Sequence, residues 1–461
     1  VKAGGDPGSN GSGVDGSFGL PTPRRHWASL AIWLAVVMAV LDGAIANVAL
    51  PTIAKELGTD PAEAIWIVNA YQLAITTMLL PLASLGDRLG YRRIFTVGLV
   101  VFTLGSAGCA LSQTLPQLVA ARVVQGFGAA GLMSINTALL RFTFPNHLLG
   151  RGIAYTGVVV SVSSALGPTV ASAILAVGSW QWLFAVNIPV GLVAIPLAMR
   201  MLPPTPGSGL PFDFLSALLN CVAFGGLILG AESFARDGLV AGLPQLAVGL
   251  AAGVLLVRRE LPRPAPLVPV DLLRIRIFRL SILTSIASFS AQMLTFVALP
   301  FHLQTVLGRT VVETGLLMTP WPLAVALTAP ISGRLADRYP AGMLGGIGQG
   351  VFAVGLISLA FIPPSASDLD IALRMIVCGV GFGLFQAPNN RTIVAAAPAG
   401  RSGAAGGMLS TARLSGQTFG AVLMAVLFHQ AYLAPTHAAF VLAGGLAGAA
   451  TVLSLMRLRG G

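Results

Sequence analysis

The feature that most constrains this chain is a recurring run of about 20 apolar residues, the length that crosses ~30 Å of hydrocarbon as a helix at ~1.5 Å per residue. The runs are bounded by short clusters of charge, Pro or Gly. Only 9% of the residues are charged and 55% are hydrophobic, against roughly 25% charged in a soluble domain. No water-soluble fold fits that balance, so the chain reads as an all-α integral membrane protein. The runs fall at roughly 27–53, 62–84, 93–112, 116–140, 151–177, 181–201, 213–233, 240–257, 280–305, 313–335, 341–361, 369–390, 402–429 and 436–456, about fourteen spans. Their connections are too short for a soluble catalytic or nucleotide-binding domain. Residues 1–26, rich in Gly, Ser and Pro, are expected to be a disordered tail.

The 27 Lys plus Arg exceed the 16 Asp plus Glu, a net charge of +11. Their placement explains the excess. If the amino terminus is cytoplasmic, the loops after the even-numbered spans and both tails carry nearly all the arginines. The opposite loops hold only Lys55, Arg236 and Arg309. This asymmetry predicts both termini in the cytoplasm and leaves no folded basic surface for nucleic acid. Cys109, Cys221 and Cys378 lie inside apolar runs without metal-ligand or redox spacing, so neither a disulfide nor a metal site is expected.

Two loops repeat a pattern. Leu85-Gly86-Asp87-Arg88-Leu89-Gly90-Tyr91-Arg92-Arg93 follows span 2, and Gly333-Arg334-Leu335-Ala336-Asp337-Arg338-Tyr339 follows span 10. Asp87 and Asp337 are about 250 residues apart, whereas six spans need only ~180 to 190 at about 30 per span. The surplus is two inserted helices. The expected organisation is a six-helix bundle over 27–201, two inserted helices and a linker over 202–279, and a second six-helix bundle over 280–461. Halves related by repeats are the mark of secondary transporters with a site near mid-membrane.

Residue by residue, the chain resembles the major facilitator superfamily, in particular its fourteen-helix drug:proton antiporters, across all the spans. Span 1 ends in Leu41-Asp42-Gly43-Ala44-Ile45-Ala46-Asn47-Val48-Ala49-Leu50-Pro51, similar to that group's signature. The loop after span 2 is similar to the superfamily's gating motif at Asp87, Arg88, Gly90 and Arg92, with Ala83 in place of the first Gly. The second copy keeps Gly333, Asp337 and Arg338, with Pro340 in place of the later Gly. Arg122-Val123-Val124-Gln125-Gly126 resembles a segment associated with proton coupling. Gly167-Pro168-Thr169-Val170-Ala171-Ser172 is similar to the exporters' antiporter motif, with Ala171-Ser172 replacing a Gly pair. Trp182 to Gly191 matches the family's entry to span 6. The resemblance implies a monomeric, proton-driven exporter in a cell inner membrane, with no cofactor beyond the proton gradient.

Asp42 is the acid that falls clearly within a span. Counted from Ala28, it lies ~21 Å deep, and Arg122, counted from Pro116, reaches the same depth from the other side. They can pair, either as a static lock or as a carboxylate that takes up a proton when the pairing weakens. The offset that relates the two loops carries Asp42 onto Gln292, so the second half has no matching acid. Tyr71, Gln72, Phe289, Gln292, Phe296, Trp321, Gln386 and Asn389 are the candidate lining residues. Aromatic faces and one carboxylate would suit a small hydrophobic, cationic substrate. Asp87, at the end of span 2, is placed to hold a gate by pairing with arginines or a helix amino terminus. A proton-coupled carrier of one metabolite, lipid-like molecule or antibiotic would use the same scaffold. An enzyme finds no support, since no Ser/His pair or acid/His cluster shares one depth.

Overall fold

A computed structural model describes residues 19–205, 207, 212–263, 268–398, 401–430 and 434–460. Of the expected amino-terminal tail, residues 1–18 lie outside these, and the expectation is corrected at its end: Arg24, Arg25 and His26 form the first turn of α1. The first half comprises α1 (Arg24–Leu57), a short α2 (Pro61–Ala64), α3 (Trp66–Leu89), α4 (Tyr91–Leu111), α5 (Leu115–Thr143), α6 (Asn146–Val177), a short α7 (Trp182–Ala185) and α8 (Asn187–Met201). Then come α9 (Phe214–Asp237) and α10 (Leu239–Glu260). The second half comprises α11 (Arg276–Phe301), α12 (Val311–Met318), α13 (Pro320–Leu335), α14 (Ala341–Ala360), α15 (Asp368–Ala396), α16 (Ser402–Gln430) and α17 (Pro435–Leu455).

Among the described residues thirteen helices are long and apolar enough to cross a membrane. A further long helix, α15, has 29 residues, enough for ~43 Å of rise. The single span expected over 313–335 is two segments, α12 and α13, meeting at Thr319-Pro320. Local chemistry sets the ends. Gly58 closes α1 in the left-handed conformation at φ 64°, and the Asp60 side chain caps α2. Thr310 and Glu313 form a reciprocal capping box that starts α12. Leu104, Val158, Leu192, Leu250 and Val354 point outward and exposed. In water that surface would be costly; in lipid it is the required exterior.

Contacts fix which helix ends share a face. Arg24 donates to the Met201 carbonyl at 3.2 Å, and Arg457 donates to Ser281 at 3.0 Å. Leu80 on α3 lies beside Gly407 on α16. Both described ends of the chain therefore lie on one face, with the ends of α3, α5 and α8 and the starts of α11 and α16. On the opposite face the halves meet directly: Ser172 donates to the Val311 carbonyl at 2.9 Å and Thr169 pairs with Thr319 at 2.7 Å. Nearer mid-membrane, Thr76 meets Thr418 at 3.1 Å.

The pair α9–α10 packs mainly on itself, and α9 lies against both α3 and α16, where the two halves meet. Asn220 donates to the Thr77 carbonyl at 2.7 Å, and Trp66 donates to Glu232. At one end Asp213, Ser216, Arg259, Glu260 and Arg263 clamp α9 to α10, with Arg259–Asp213 at 3.2 Å and Ser216–Glu260 at 2.6 Å.

Candidate functional site

The buried polar centre of the first half is built on α5. Arg122 lies where two glycine contacts let α5 come close to its neighbours. A Cβ on Gly126 would stand 2.8 Å from the Tyr71 carbonyl of α3, and a Cβ on Gly105 of α4 would stand 2.6 Å from Gln125. The close packing brings the Arg122 Nε within 2.9 Å of the Ile67 carbonyl and forms an ion pair with Asp42 of α1. Both side chains are about 1% exposed.

The Asp42 carboxylate is fully engaged. Besides Arg122 it accepts from Gln125 at 2.8 Å and from Asn187 at 2.9 Å. Gln125 also accepts from Arg122 at 2.6 Å and donates to Ser106 at 2.8 Å. Five helices of one half, α1, α3, α4, α5 and α8, thus converge on a single charge pair. Burying such ions costs several kcal/mol per ion unless each is paired and hydrogen-bonded, and here both conditions are met. The depth arithmetic placed Asp42 and Arg122 together, and the structure brings them together. Gln125 and Asn187 stand within the motifs read from the sequence, yet their part in the pair was missed. The signal was available: each is an amide side chain in a span whose other residues are mostly apolar.

A cavity of about 220 Å³ lies between the two halves. Tyr71, Gln72, Phe289, Gln292, Phe296, Trp321 and Gln386 all line it, as expected, and so does Pro168. Gly167, beside it, packs against Ala44 of α1. Phe296 and Trp321 lie with ring centroids 4.8 Å apart, and Phe289 meets Phe382 at 5.3 Å.

Two expectations need correction. Asn389 does not line the cavity: it donates to Ser285 at 2.8 Å and accepts from Arg457 at 2.7 Å, a tie between α11, α15 and the end of the chain. Asp42 does not line it either. The Tyr71 ring stands between, with the Arg122 guanidinium 3.9 Å from its centroid and its hydroxyl donating to the Ala39 carbonyl at 3.3 Å. The carboxylate expected to offset a cationic cargo is therefore behind the wall and already paired. The charged side chain among the described lining residues is Arg413 of α16, a placement that residue spacing alone does not reveal.

Of the expected gating residues, Gly90 takes φ 93°, which disfavours any side chain, and passes close to the Thr205 carbonyl. Arg92 donates its amide to Thr205 at 3.0 Å and its guanidinium to Met199. The Arg88 guanidinium lies 5.3 Å from the Phe212 ring centroid, and Tyr91 donates to Asp87. In the second copy Asp337 pairs with Arg391 of α15. Arg338 is exposed, and Gly333 has open space around it. These described contacts run within each half or to the linker after α8.

The comparisons with known proteins agree with this architecture. The sequence matches the Major Facilitator Superfamily over residues 32–421 and 280–460. It is 53% identical over 443 residues to the uncharacterized transporter YebQ of Escherichia coli (strain K12), covering 95% of this chain and 97% of that one. It is 30% identical to the riboflavin transporter RibZ of Clostridioides difficile (88% and 89% covered) and 31% identical to the multidrug efflux pump LfrA of Mycolicibacterium smegmatis (89% and 82% covered). Among solved structures, a D-xylose-proton symporter superposes with a TM-score of 0.69 at 14% identity, covering 93% of this chain and 97% of that one; it shares the fold. With two helical halves around a central cavity and a family match spanning nearly every helix, the chain belongs to the major facilitator superfamily and is a membrane transporter, not an enzyme.

Proposed function

We propose that the protein is a proton-coupled antiporter that exports small hydrophobic compounds across the inner membrane by alternating access, acting as a monomer with both termini in the cytoplasm. The observation that carries this reading is the buried Asp42–Arg122 pair one side chain behind the cavity wall. Tyr71 touches both compartments. Cargo that displaces its ring disturbs the guanidinium beneath it, and a carboxylate that loses its ion partner in a low dielectric takes up a proton. Proton occupancy and cargo occupancy are then linked through one aromatic side chain. No cofactor enters the cycle, and the energy comes from the proton gradient. The relatives support the class: one carries the name of a multidrug efflux pump, another that of a riboflavin transporter. The small cavity favours a narrow cargo range within it, since ligand pockets run from ~300 to 1,000 Å³.

In the captured arrangement the described polar contacts between the halves lie at mid-membrane and toward the face opposite the chain ends. We read this as the state open toward the cytoplasm. The gating loops would then close across the halves in the other state.

The test is uptake into inside-out vesicles with an acidic lumen, using a panel of fluorescent hydrophobic compounds that are anionic, neutral or cationic. At least one should accumulate against its gradient, and a protonophore should abolish the accumulation. Uphill movement of none of them, or indifference to the protonophore, contradicts the reading. Orientation is tested separately by reporter fusions after Gly58 and after Arg279, which should report opposite sides, with Arg279 cytoplasmic. Matching signals would break the fourteen-crossing topology.

A further inference from the structure

Arg413 sits on α16 in the wall of the central cavity, and its Nε is buried with no hydrogen-bond partner among the described residues. The nearest candidate counter-ion by function, Asp42, is held by Arg122, Gln125 and Asn187 on the far side of Tyr71. A guanidinium cannot shed its charge, and a cation in the membrane interior is costly unless paired. The cavity therefore holds one uncompensated positive charge facing a ligand-sized space.

Two further groups are left open there. Trp321 lines the cavity, and among the described residues its buried Nε1–H has no acceptor and the buried Asn47 Oδ1 has no donor. The rings of Phe296 and Trp321, with centroids 4.8 Å apart and planes tilted by 36°, form an apolar corner. We infer that the cargo is a small aromatic acid bound as its anion, its carboxylate held by the Arg413 guanidinium and its ring by Phe296 and Trp321.

The planar guanidinium fork matches a carboxylate in two parallel hydrogen bonds. A cationic cargo would face like charge in a low dielectric with no carboxylate among the described lining residues to offset it, which reverses the charge expected from the sequence. A dianion would leave its second charge unpaired. The inference rests on the transporter reading above and sharpens it. Exchange of an anion leaving for a proton entering moves both charges in the direction that the membrane potential favours.

The experiment uses the full chain in detergent, without any gradient, and three probes that share one ring system: 1-naphthoate, 1-naphthamide and 1-naphthylmethylammonium, each measured by equilibrium dialysis. Naphthoate should bind about 10- to 100-fold tighter than the other two, the range for a hydrogen bond to a charged group. Arg413→Gln should remove that preference while leaving naphthamide binding in place, which shows that the variant is folded, and Arg413→Lys should keep part of it. Naphthoate that binds no better than the amide, or a preference that survives in Arg413→Gln, overturns the inference. Because no gradient is present, the outcome is independent of proton coupling. An anion preference without gradient-driven uptake would sink the antiport reading and leave the cargo class standing.

Discussion

Asp42→Asn abolishes uphill transport driven by a pH gradient while exchange of cargo down its own gradient survives. Asn is nearly isosteric with Asp but carries no exchangeable acid, and the described network offers no second carboxylate at the pair. In inside-out vesicles with an acidic lumen the accumulation ratio of the variant should fall to about unity, the value for a passive carrier. Counterflow of labelled against unlabelled cargo should persist. Loss of both activities would mean that Asp42 is needed for the conformational cycle itself, and full uphill transport would move the proton site elsewhere.

The second large effect concerns stability, and it is asymmetric. Asp42→Asn leaves the Arg122 guanidinium buried without its counter-ion, and Arg122 cannot neutralise itself. Removing one partner of a buried pair costs about 3–5 kcal/mol. Arg122→Gln leaves Asp42 instead, which can discharge itself by holding a proton, so its cost should be the smaller, about 1–3 kcal/mol for the lost hydrogen bonds to Ile67 and Gln125. The double variant Asp42→Asn/Arg122→Gln, with no charge left in the site, should be more stable than Asp42→Asn alone. Thermal unfolding in detergent would show this order. A double variant no more stable than Asp42→Asn would mean that the unpaired guanidinium is not what destabilises it, which contradicts a pair held away from solvent.

Much of this was legible in the sequence because membrane physics is one-dimensional to first order. Apolar run length sets the helices and distance from a charged edge sets depth, which is why residue counting alone matches Asp42 to Arg122. Depth alone does not say which way a side chain points. Gln386 and Asn389 are three residues apart, about 60° around the helix and nearly one turn in height. That turn carries Asn389 out of the cavity and into the cluster with Ser281, Ser285 and Arg457. Arg413 was illegible for the same reason. A lone arginine in α16, among Gly, Ala, Ser and Thr, has no partner in its own sequence, and only the packing of α16 against α11 and α3 turns it toward the centre. The role of Tyr71 as a partition depends on a ring plane lying over a guanidinium, a relation that residue spacing does not encode.

The central claim is that Asp42 takes up and releases the coupled proton, and infrared difference spectroscopy of the protein in lipid, titrated over pH, tests it without knowledge of the cargo. Wild type should show a protonated-carboxyl stretch that appears on acidification, exchanges slowly with deuterium because the site is buried, and is missing from Asp42→Asn. Identical titrations of wild type and Asp42→Asn would mean that Asp42 stays ionised beside Arg122 throughout, a static lock between α1 and α5, and that the proton is carried elsewhere.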